Sequence, residues 1–320
     1  MLHRRTVLSA MPLLAMAKPS LAQLQASIKV IVPFSAGGTT DLVGRIVSEA
    51  LSKVLDTPVV VQNKAGAGGA IGMGELAKAA PDGLTLGIAN LSTQVAIPVA
   101  YKKPPYNPAS DFTYIGELAL APAVLLVRSS LPVNNMAEFI RYARARPGQL
   151  SYGSPGIGSA GHFGAEIFKV STRTFIVHIP YRGGAGLVND LVAGHLDMGF
   201  DQVATALPHV RAGRLRALAV TWPARLPELP EVPTFAEVSL PDNNGPTWFG
   251  LVGPARMAQG LRDKLNASVN RILETPHVRQ RMEPVGLYPS ASSPDQFASR
   301  VASDIVALRR IARGARISLD

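Results

Sequence analysis

Short runs rich in valine and isoleucine alternate with stretches whose apolar residues recur every three or four positions, and this alternation restricts what the chain can fold into. Ile28 to Phe34 reads as a strand, and Asp41 to Leu55 follows with Leu42, Ile46, Ala50 and Val54 on one helical face. Pro58 to Gln62 is the next strand. Gly69 to Ala80 is a helix stopped by Pro81-Asp82-Gly83, and Leu84 to Ala89 is a third strand. Strands joined by helices at this spacing pair in parallel through right-handed crossovers, because a right-twisted strand feeding a right-handed helix returns to its sheet only that way. The expected fold class is α/β, with mostly parallel sheets flanked by helices.

The pattern then restarts. Ala123 to Val127, Gln149 to Gly153, Phe175 to Pro180, Leu196 to Phe200 and Leu215 to Val220 read as strands. The helices between them carry Ala137, Ile140 and Ala143, then Ser159 to Val170, Ala185 to Gly194 and Val203 to Ala212, and Asn134 or Asn135 caps the first. Pro223 to Pro233 holds four prolines in eleven residues and reads as a linker, since proline removes a backbone donor and fixes φ. Trp248 to Val252 looks like a return strand, and helices Met257 to Glu274 and Pro294 to Ile311 finish the chain. Two lobes are therefore expected, residues 23–121 plus 223–320 and residues 122–222, with the two crossings between them forming a hinge.

The N-terminus reads as an export signal over residues 1–22. His3-Arg4-Arg5 is basic, Val7 to Ala17 is an apolar run broken only by Ser9 and Pro12, and Ser20-Leu21-Ala22 is a small-x-small cleavage site. The run is too short to span a bilayer. The mature protein is expected to begin near Gln23 in the periplasm, and Arg4-Arg5 leaves both the Sec and the twin-arginine routes open. The absence of cysteine excludes disulfides, thiol nucleophiles and thiolate metal sites. The net charge of +10 comes from Lys and Arg scattered singly, as at Arg141, Arg144 and Arg146, which suits solvated helix faces rather than a nucleic-acid surface. His162, His178, His195, His209 and His277 lack paired metal-ligand spacing, so neither a metal nor a cofactor is expected. A monomer is expected.

In a parallel sheet, ligands bind beyond the carboxyl ends of strands, where loops feed helix N-termini. Two such loops are small and polar, Pro33 to Asp41 and Gly153 to Ser159. Their glycines let a ligand approach the backbone, and the first helical N–H groups are orphan donors carrying partial positive charge. Each loop is equally what a tight strand-to-helix turn with a Ser, Thr or Asp cap would show. Asp41, with Arg45 one turn on, is placed to buttress the first loop rather than to touch a ligand. Trp248 is either a core residue or a reporter of lobe closure.

Several longer stretches make the pattern specific. They include Val32-Pro33-Phe34-Ser35-Ala36-Gly37-Gly38 with Asp41, Val61 to Gly69, Ala80-Pro81-Asp82-Gly83, Tyr152-Gly153-Ser154 with Gly158-Ser159, and His178-Ile179-Pro180-Tyr181-Arg182-Gly183. Phe200-Asp201, Leu207-Pro208-His209, Arg214 to Val220, Pro230 to Thr234 and Trp248-Phe249-Gly250 follow in order. Together they resemble the tripartite tricarboxylate transporter receptor family, also called Bug receptors, over nearly the whole mature chain. The resemblance implies a two-lobed type II periplasmic solute-binding fold that captures a small organic carboxylate and delivers it to membrane permease subunits. It implies ligand contacts from Phe34, Ser35, Ala36, Gly37, Gly38 and Thr39, from Ser92, Thr93 and Gln94, from Ser154, Gly158 and Ser159, and from Tyr181 and Asp201. No catalytic residue is implied.

Three other readings compete. The same fold could serve as an extracytoplasmic sensor docking on a receptor kinase, and docking surfaces leave no motif to separate the two. A hydrolase could use Ser154 or Ser159 with His162 and Asp197, yet neither serine completes G-x-S-x-G. A nucleotide site fares no better. Gly66 to Gly72 misses G-x-G-x-x-G by one residue, and the looser match from Gly72 to Ala77 starts inside a helix.

Overall fold

A computed structural model describes residues 27–243 and 245–314, and the export signal expected at residues 1–22 lies outside them. The first lobe begins with β1 (Ile28–Val32), α1 (Thr39–Leu55), β2 (Val59–Asn63), α2 (Ala70–Leu76), β3 (Thr85–Asn90), α3 (Ile97–Ala100) and β4 (Phe112–Ala121). The second contains β5 (Ala123–Arg128), α4 (Met136–Arg144), β6 (Ser151–Ser154), α5 (Ala160–Thr172), β7 (Val177–Pro180), α6 (Gly184–Ala193), β8 (Met198–Gln202), α7 (Val203–Arg211) and β9 (Leu215–Val220). The chain then returns to the first lobe with β10 (Thr247–Pro254), α8 (Gln259–Leu273), α9 (Pro276–Met282), β11 (Tyr288–Pro289) and α10 (Pro294–Gly314). Among the described residues no helix is long and apolar enough to cross a membrane.

The strand orders are β11-β4-β10-β3-β1-β2 and β7-β6-β8-β5-β9. Each sheet holds a parallel trio, β2-β1-β3 and β7-β6-β8, to which antiparallel strands add. In the first sheet these are β10, β4 and β11, and in the second β5 and β9.

The central Val- and Ile-rich strands β1 and β5 are buried on both faces because helices cover both. Val30 and Val32 pack with Val43, Ile46 and Val47 of α1, while Ile31 between them faces Met73 and Leu76 of α2. The second sheet repeats the device. Leu125 and Val127 join Phe139 and Phe168, whereas Val124 and Leu126 join Leu187, Leu191 and Leu207. This period-two alternation inside an unbroken apolar run is what a doubly covered sheet requires.

Two features of the path differ from the sequence reading. The ten-residue strand β4 was not foreseen, since Gly116 and Glu117 interrupt its apolar run. Glu117 is buried there, accepting from Ser290 and pairing with Arg300. The chain was also expected to rejoin the first lobe at residue 223. Instead Leu226, Leu229 and Val232 pack with β5 and α6, Phe235 and Leu240 join the α4–α5 core, and Thr234 bridges Val220. The proline-rich stretch is thus a strap on the second sheet, and the return occurs at Thr247.

The forward crossing is Pro122 alone, between β4 and β5. A third connection is α10. Its Phe297 lies edge-on to Trp248, 5.1 Å between ring centroids, and Asp304 accepts from Trp248 Nε1 at 2.7 Å. Further along, Leu308 and Ala312 meet Phe163 of the second lobe. Trp248 is completely buried, a core residue that anchors this helix.

A Cβ added at Gly250 would lie 2.1 Å from Cζ of the fully buried Phe297, so Gly250→Ala must push α10 off the sheet or distort the ring. Overpacking of this kind costs about 1–3 kcal/mol. The expected result is a lower urea midpoint for Gly250→Ala with an unchanged slope, measured by far-UV circular dichroism.

Candidate functional site

The turn from β1 into α1 is shaped by one buried carboxylate. Asp41 Oδ2 accepts from the Gly37 N–H at 3.0 Å and from Arg45 Nε at 2.9 Å, while Oδ1 accepts from Asn63 Nδ2 at 2.9 Å. The same Asn63 nitrogen donates to the Phe34 carbonyl, tying the turn to the end of β2. Burial pushes the Asp41 carboxyl up, but the hydrogen bonds from Arg45, Gly37 and Asn63 outweigh it and hold the group below the ordinary carboxylate value. Asp41 is therefore a buttress, as its position in the first helical turn suggested. The helix start itself is left open: Gly38 is the N-cap residue, and no side chain caps it.

Across the lobe boundary stands a second open start. Gly183 precedes α6 with φ 150°, a conformation that favours glycine, and again no side chain caps the helix. The Ser35 N–H donates to the Arg182 carbonyl at 3.1 Å, joining the two loops directly. A Cβ on Gly38 would lie 3.7 Å from the Gly184 nitrogen, and one on Gly183 would lie 2.7 Å from Ser35 Oγ. Two sets of orphan amide donors, from helices of 17 and 10 residues, thus meet where the lobes touch.

Asp201, at the end of β8, lies under the start of α6, so close that a Cβ on Gly184 would fall 2.2 Å from its Oδ2. Thr205 Oγ1 donates to that oxygen at 2.8 Å and lies 3.5 Å from Thr39 Oγ1 of the first lobe. Burial pushes the Asp201 carboxyl up to about 6, against the lowering effect of Thr205 and the Gln202 N–H.

The second small loop takes a different place from the one the sequence suggested. The sequence offers the turns within 33–41 and 153–159 as the two candidate ligand loops. In the structure the turn before α5 meets the segment before α2 and the end of β3. The Ala160 N–H donates to Ser92 Oγ at 2.9 Å, and a Cβ on Gly68 would lie 2.5 Å from the Ile157 carbonyl oxygen. This helix is capped by Ser159, whose Oγ accepts from the His162 N–H at 3.2 Å. The jaw opposite residues 35–39 is the start of α6.

Ser154 and Ser159 have structural partners. Ser154 is fully buried, and its Oγ contacts His178 Nε2 at 2.6 Å, the Gly156 carbonyl and the Gly156 N–H. Asp197, the acid of the hydrolase reading, accepts from Arg128 and from the Ser151 N–H instead. His178 stacks between Tyr152 and His162, at 4.7 and 4.0 Å, and His162 Nδ1 accepts from the Gly158 N–H. Gly158, at φ +75°, is thereby held in a left-handed turn against Tyr101, and the stack sets the shape of this loop.

Of the remaining expected contacts, Thr93 is bound to Asn90, Gln94 accepts from Tyr114, and the Tyr181 hydroxyl, ahead of α6, donates to Asp190 of that helix. Behind the touching loops lies a cavity of about 260 Å³ that reaches both lobes, the strap and α10. Asp201 is the one residue of the fourteen expected ligand contacts that lines it. Gly183, Gly184 and Asn243 were not singled out as site residues. The Tyr181-Arg182-Gly183-Gly184 run ahead of an amphipathic helix was a signal for the two glycines, but nothing local marks Asn243.

The histidine stack has a measurable consequence. Burial holds the His162 imidazole well down, to about 4, and burial with the facing His162 ring does the same for His178. Glu166 raises both and Lys169 lowers both, more weakly. The unfolded chain takes up these protons near pH ~6.5 and the folded one only near 4, so stability falls as pH drops through that window. Asp201 works in the opposite sense, because its folded form binds a proton first, but two imidazoles outweigh one carboxyl. The expected melting temperature is lower at pH 5 than at pH 7 by roughly 5 °C, with a flatter profile in His178→Gln.

Comparison with known proteins identifies the family. Residues 43–314 match the family described as "Tripartite tricarboxylate transporter family receptor". Protein BugT of Bordetella pertussis is 33% identical, covering 87% of this chain and 86% of BugT. A solved structure described as a periplasmic transporter superposes with a TM-score of 0.90 at 38% identity, covering 92% of this chain and 98% of that one. Rpa4515 of R. palustris, solved with adipate, superposes with a TM-score of 0.88 at 33% identity, covering 91% and 98%. The chain belongs to the tripartite tricarboxylate transporter receptor family.

Proposed function

We propose that this protein is a periplasmic receptor that captures a small organic carboxylate between its lobes and hands it to the permease subunits of a tripartite tricarboxylate-type transporter. The observation that carries this reading is the meeting of two helix starts without side-chain caps, α1 at Gly38 and α6 at Gly183, across the lobe boundary. Their free N–H groups and aligned dipoles favour an anion at the point where the lobes close. Phe34 to Thr39 offer backbone from one side, and Arg182 to Ala185 from the other. Ser92 and Gly158 join the lobes beside them, while Ser154 and Ser159 shape the loop that carries Gly158. Tyr181 supports the start of α6 through Asp190, while Thr93 and Gln94 bond within the first lobe to Asn90 and Tyr114.

Capture needs no bond to form or break. A carboxylate that bridges the two helix starts adds its binding energy only to the closed arrangement and so shifts the population toward it. The closed form joins surfaces of both lobes into one face, which an empty, open receptor would not present to the permease. The adipate found with Rpa4515 is consistent with a carboxylate as the captured group.

Gly38→Leu tests this directly. Gly38 has φ −85°, so a side chain there brings no backbone strain, yet leucine would fill the space between α1 and Gly184. In a thermal-shift screen of organic acids, a bound carboxylate at about a hundred times its Kd stabilises the wild type by ~2.7 kcal/mol. The same acid should lose at least tenfold in affinity for Gly38→Leu, whose unliganded melting temperature stays close to wild type. Equal affinity for both proteins would refute the site.

A further inference from the structure

The cavity behind the touching loops has a chemical character unlike the surface of this basic chain. Its walls are largely apolar, with Val95, Phe163, Ile167, Phe200 and Leu308 prominent. Its charged groups are mainly acidic: Asp201, Asp242 and Asp304 line it against the single cation Arg300. That guanidinium already pairs with the buried Glu117 at 3.3 Å, and Asp304 accepts from Trp248. A second carboxylate pushed into this space would meet several negative groups and no free positive one, at a large desolvation cost.

One residue of the wall has an unsatisfied polar atom. Asn243 is 6% exposed and lines the cavity, and its Nδ2 donates to the Gly164 carbonyl at 2.8 Å. That bond fixes which way the amide points and leaves Oδ1 buried without a partner. An orphan acceptor inside a native protein calls for a donor, because an unmade buried hydrogen bond costs about 1–3 kcal/mol. The cavity has room for one on an apolar frame. At about 260 Å³ it exceeds the roughly 150 Å³ that accepts a benzene ring in an engineered apolar cavity.

We propose that the ligand is a monocarboxylate with an apolar, ring-sized body and one hydrogen-bond donor remote from the carboxylate, the body filling this cavity and the donor meeting Asn243 Oδ1. The inference rests on the carboxylate-receptor reading and adds its substrate class. Asp201 joins the two parts of the site, since it lies against Gly184 at the helix start and also forms part of the cavity wall. A ligand whose carboxylate sits at the helix starts therefore has its body directed past Asp201. A dicarboxylate of similar length is disfavoured by the same acidic wall, and an unsubstituted apolar acid leaves Asn243 Oδ1 unpaired.

Calorimetric titration of the whole mature chain with 4-hydroxyphenylacetate, phenylacetate and adipate tests this. 4-Hydroxyphenylacetate should bind at least tenfold more tightly than either of the others. Asn243→Ala should bring it down to the level of phenylacetate while leaving phenylacetate itself unchanged, a control that separates loss of the acceptor from a general disturbance of the wall. Ala307→Trp, an exposed position of α10 on the cavity wall, should weaken both aromatic acids by tenfold or more without unfolding the protein. Should adipate bind most tightly, require Gly38 and ignore Ala307→Trp, the substrate class is wrong while the receptor reading survives. Should neither aromatic acid bind and no other organic acid shift the melting temperature, both fall together.

Discussion

Peptide N–H groups in the first turn of a helix have no partner inside that helix, and here two such sets lie without side-chain caps at the place where the lobes meet. In the second lobe α7 also lacks a side-chain cap, but α4 and α5 are capped. Asn135 caps α4 by accepting from the Glu138 N–H, and Ser159 caps α5. Gly38 and Gly183 cannot cap, and their lack of side chains allows the helix starts to approach each other. Closing the lobes without an anion would remove donors from water with little to replace it, which is unfavourable. Filling the gap with a carboxylate makes the same geometry favourable. On the proposed reading, ligand binding and lobe closure are one event.

The rest of the fold holds these two starts in register. Asp41 is pinned by Gly37, Arg45 and Asn63, so the turn before α1 has its shape before any ligand arrives. On the far side, Asp201 and Thr205 support the start of α6 from below, and the stacked His162 and His178 hold the neighbouring loop. The sheets are joined by the single residue Pro122 in one direction and by the strap ending at Thr247 in the other, while α10 reaches from Trp248 to Phe163. The cavity is bounded by Ala123 next to the Pro122 crossing, by the strap and by α10. A change in lobe angle must therefore change its volume, and on the proposed reading a ligand body that fills it would favour one angle.

The parts of this arrangement that could be read from sequence are those encoded locally. The Val and Ile runs give period-two burial when helices cover both faces of a sheet, and they mark β1, β2, β3, β5 and β9 within a residue or two. Glycine-rich turns and the Asp41 buttress are local as well, because their hydrogen bonds mostly span a few residues. What was hidden depends on pairing across the chain. Strand β4 is disguised by Glu117, whose burial makes sense only with Ser290 and Arg300 from the C-terminal segment. The partner of the first loop is α6 rather than α5, since nothing in Gly156-Ile157-Gly158 shows that it will pack on Gly68. The proline-rich strap looks like a linker until Leu226, Val232 and Phe235 find the second core. Asn243 carries no motif, and its unsatisfied oxygen emerges only when strap, α5 and α10 surround one space.

The direct test of the helix-start site is the amide proton of each glycine involved. In a uniformly ¹⁵N-labelled, deuterated sample, the resonances of Gly38 and Gly184 can be followed as a bound carboxylate, 4-hydroxyphenylacetate or adipate, is brought to saturation. Both amide protons should move downfield and become slower to exchange with solvent, as expected for N–H groups donating to a carboxylate in a closed site. If the ligand binds while both amides keep their free-state shifts and exchange rates, the anion lies elsewhere and the helix starts do not hold it.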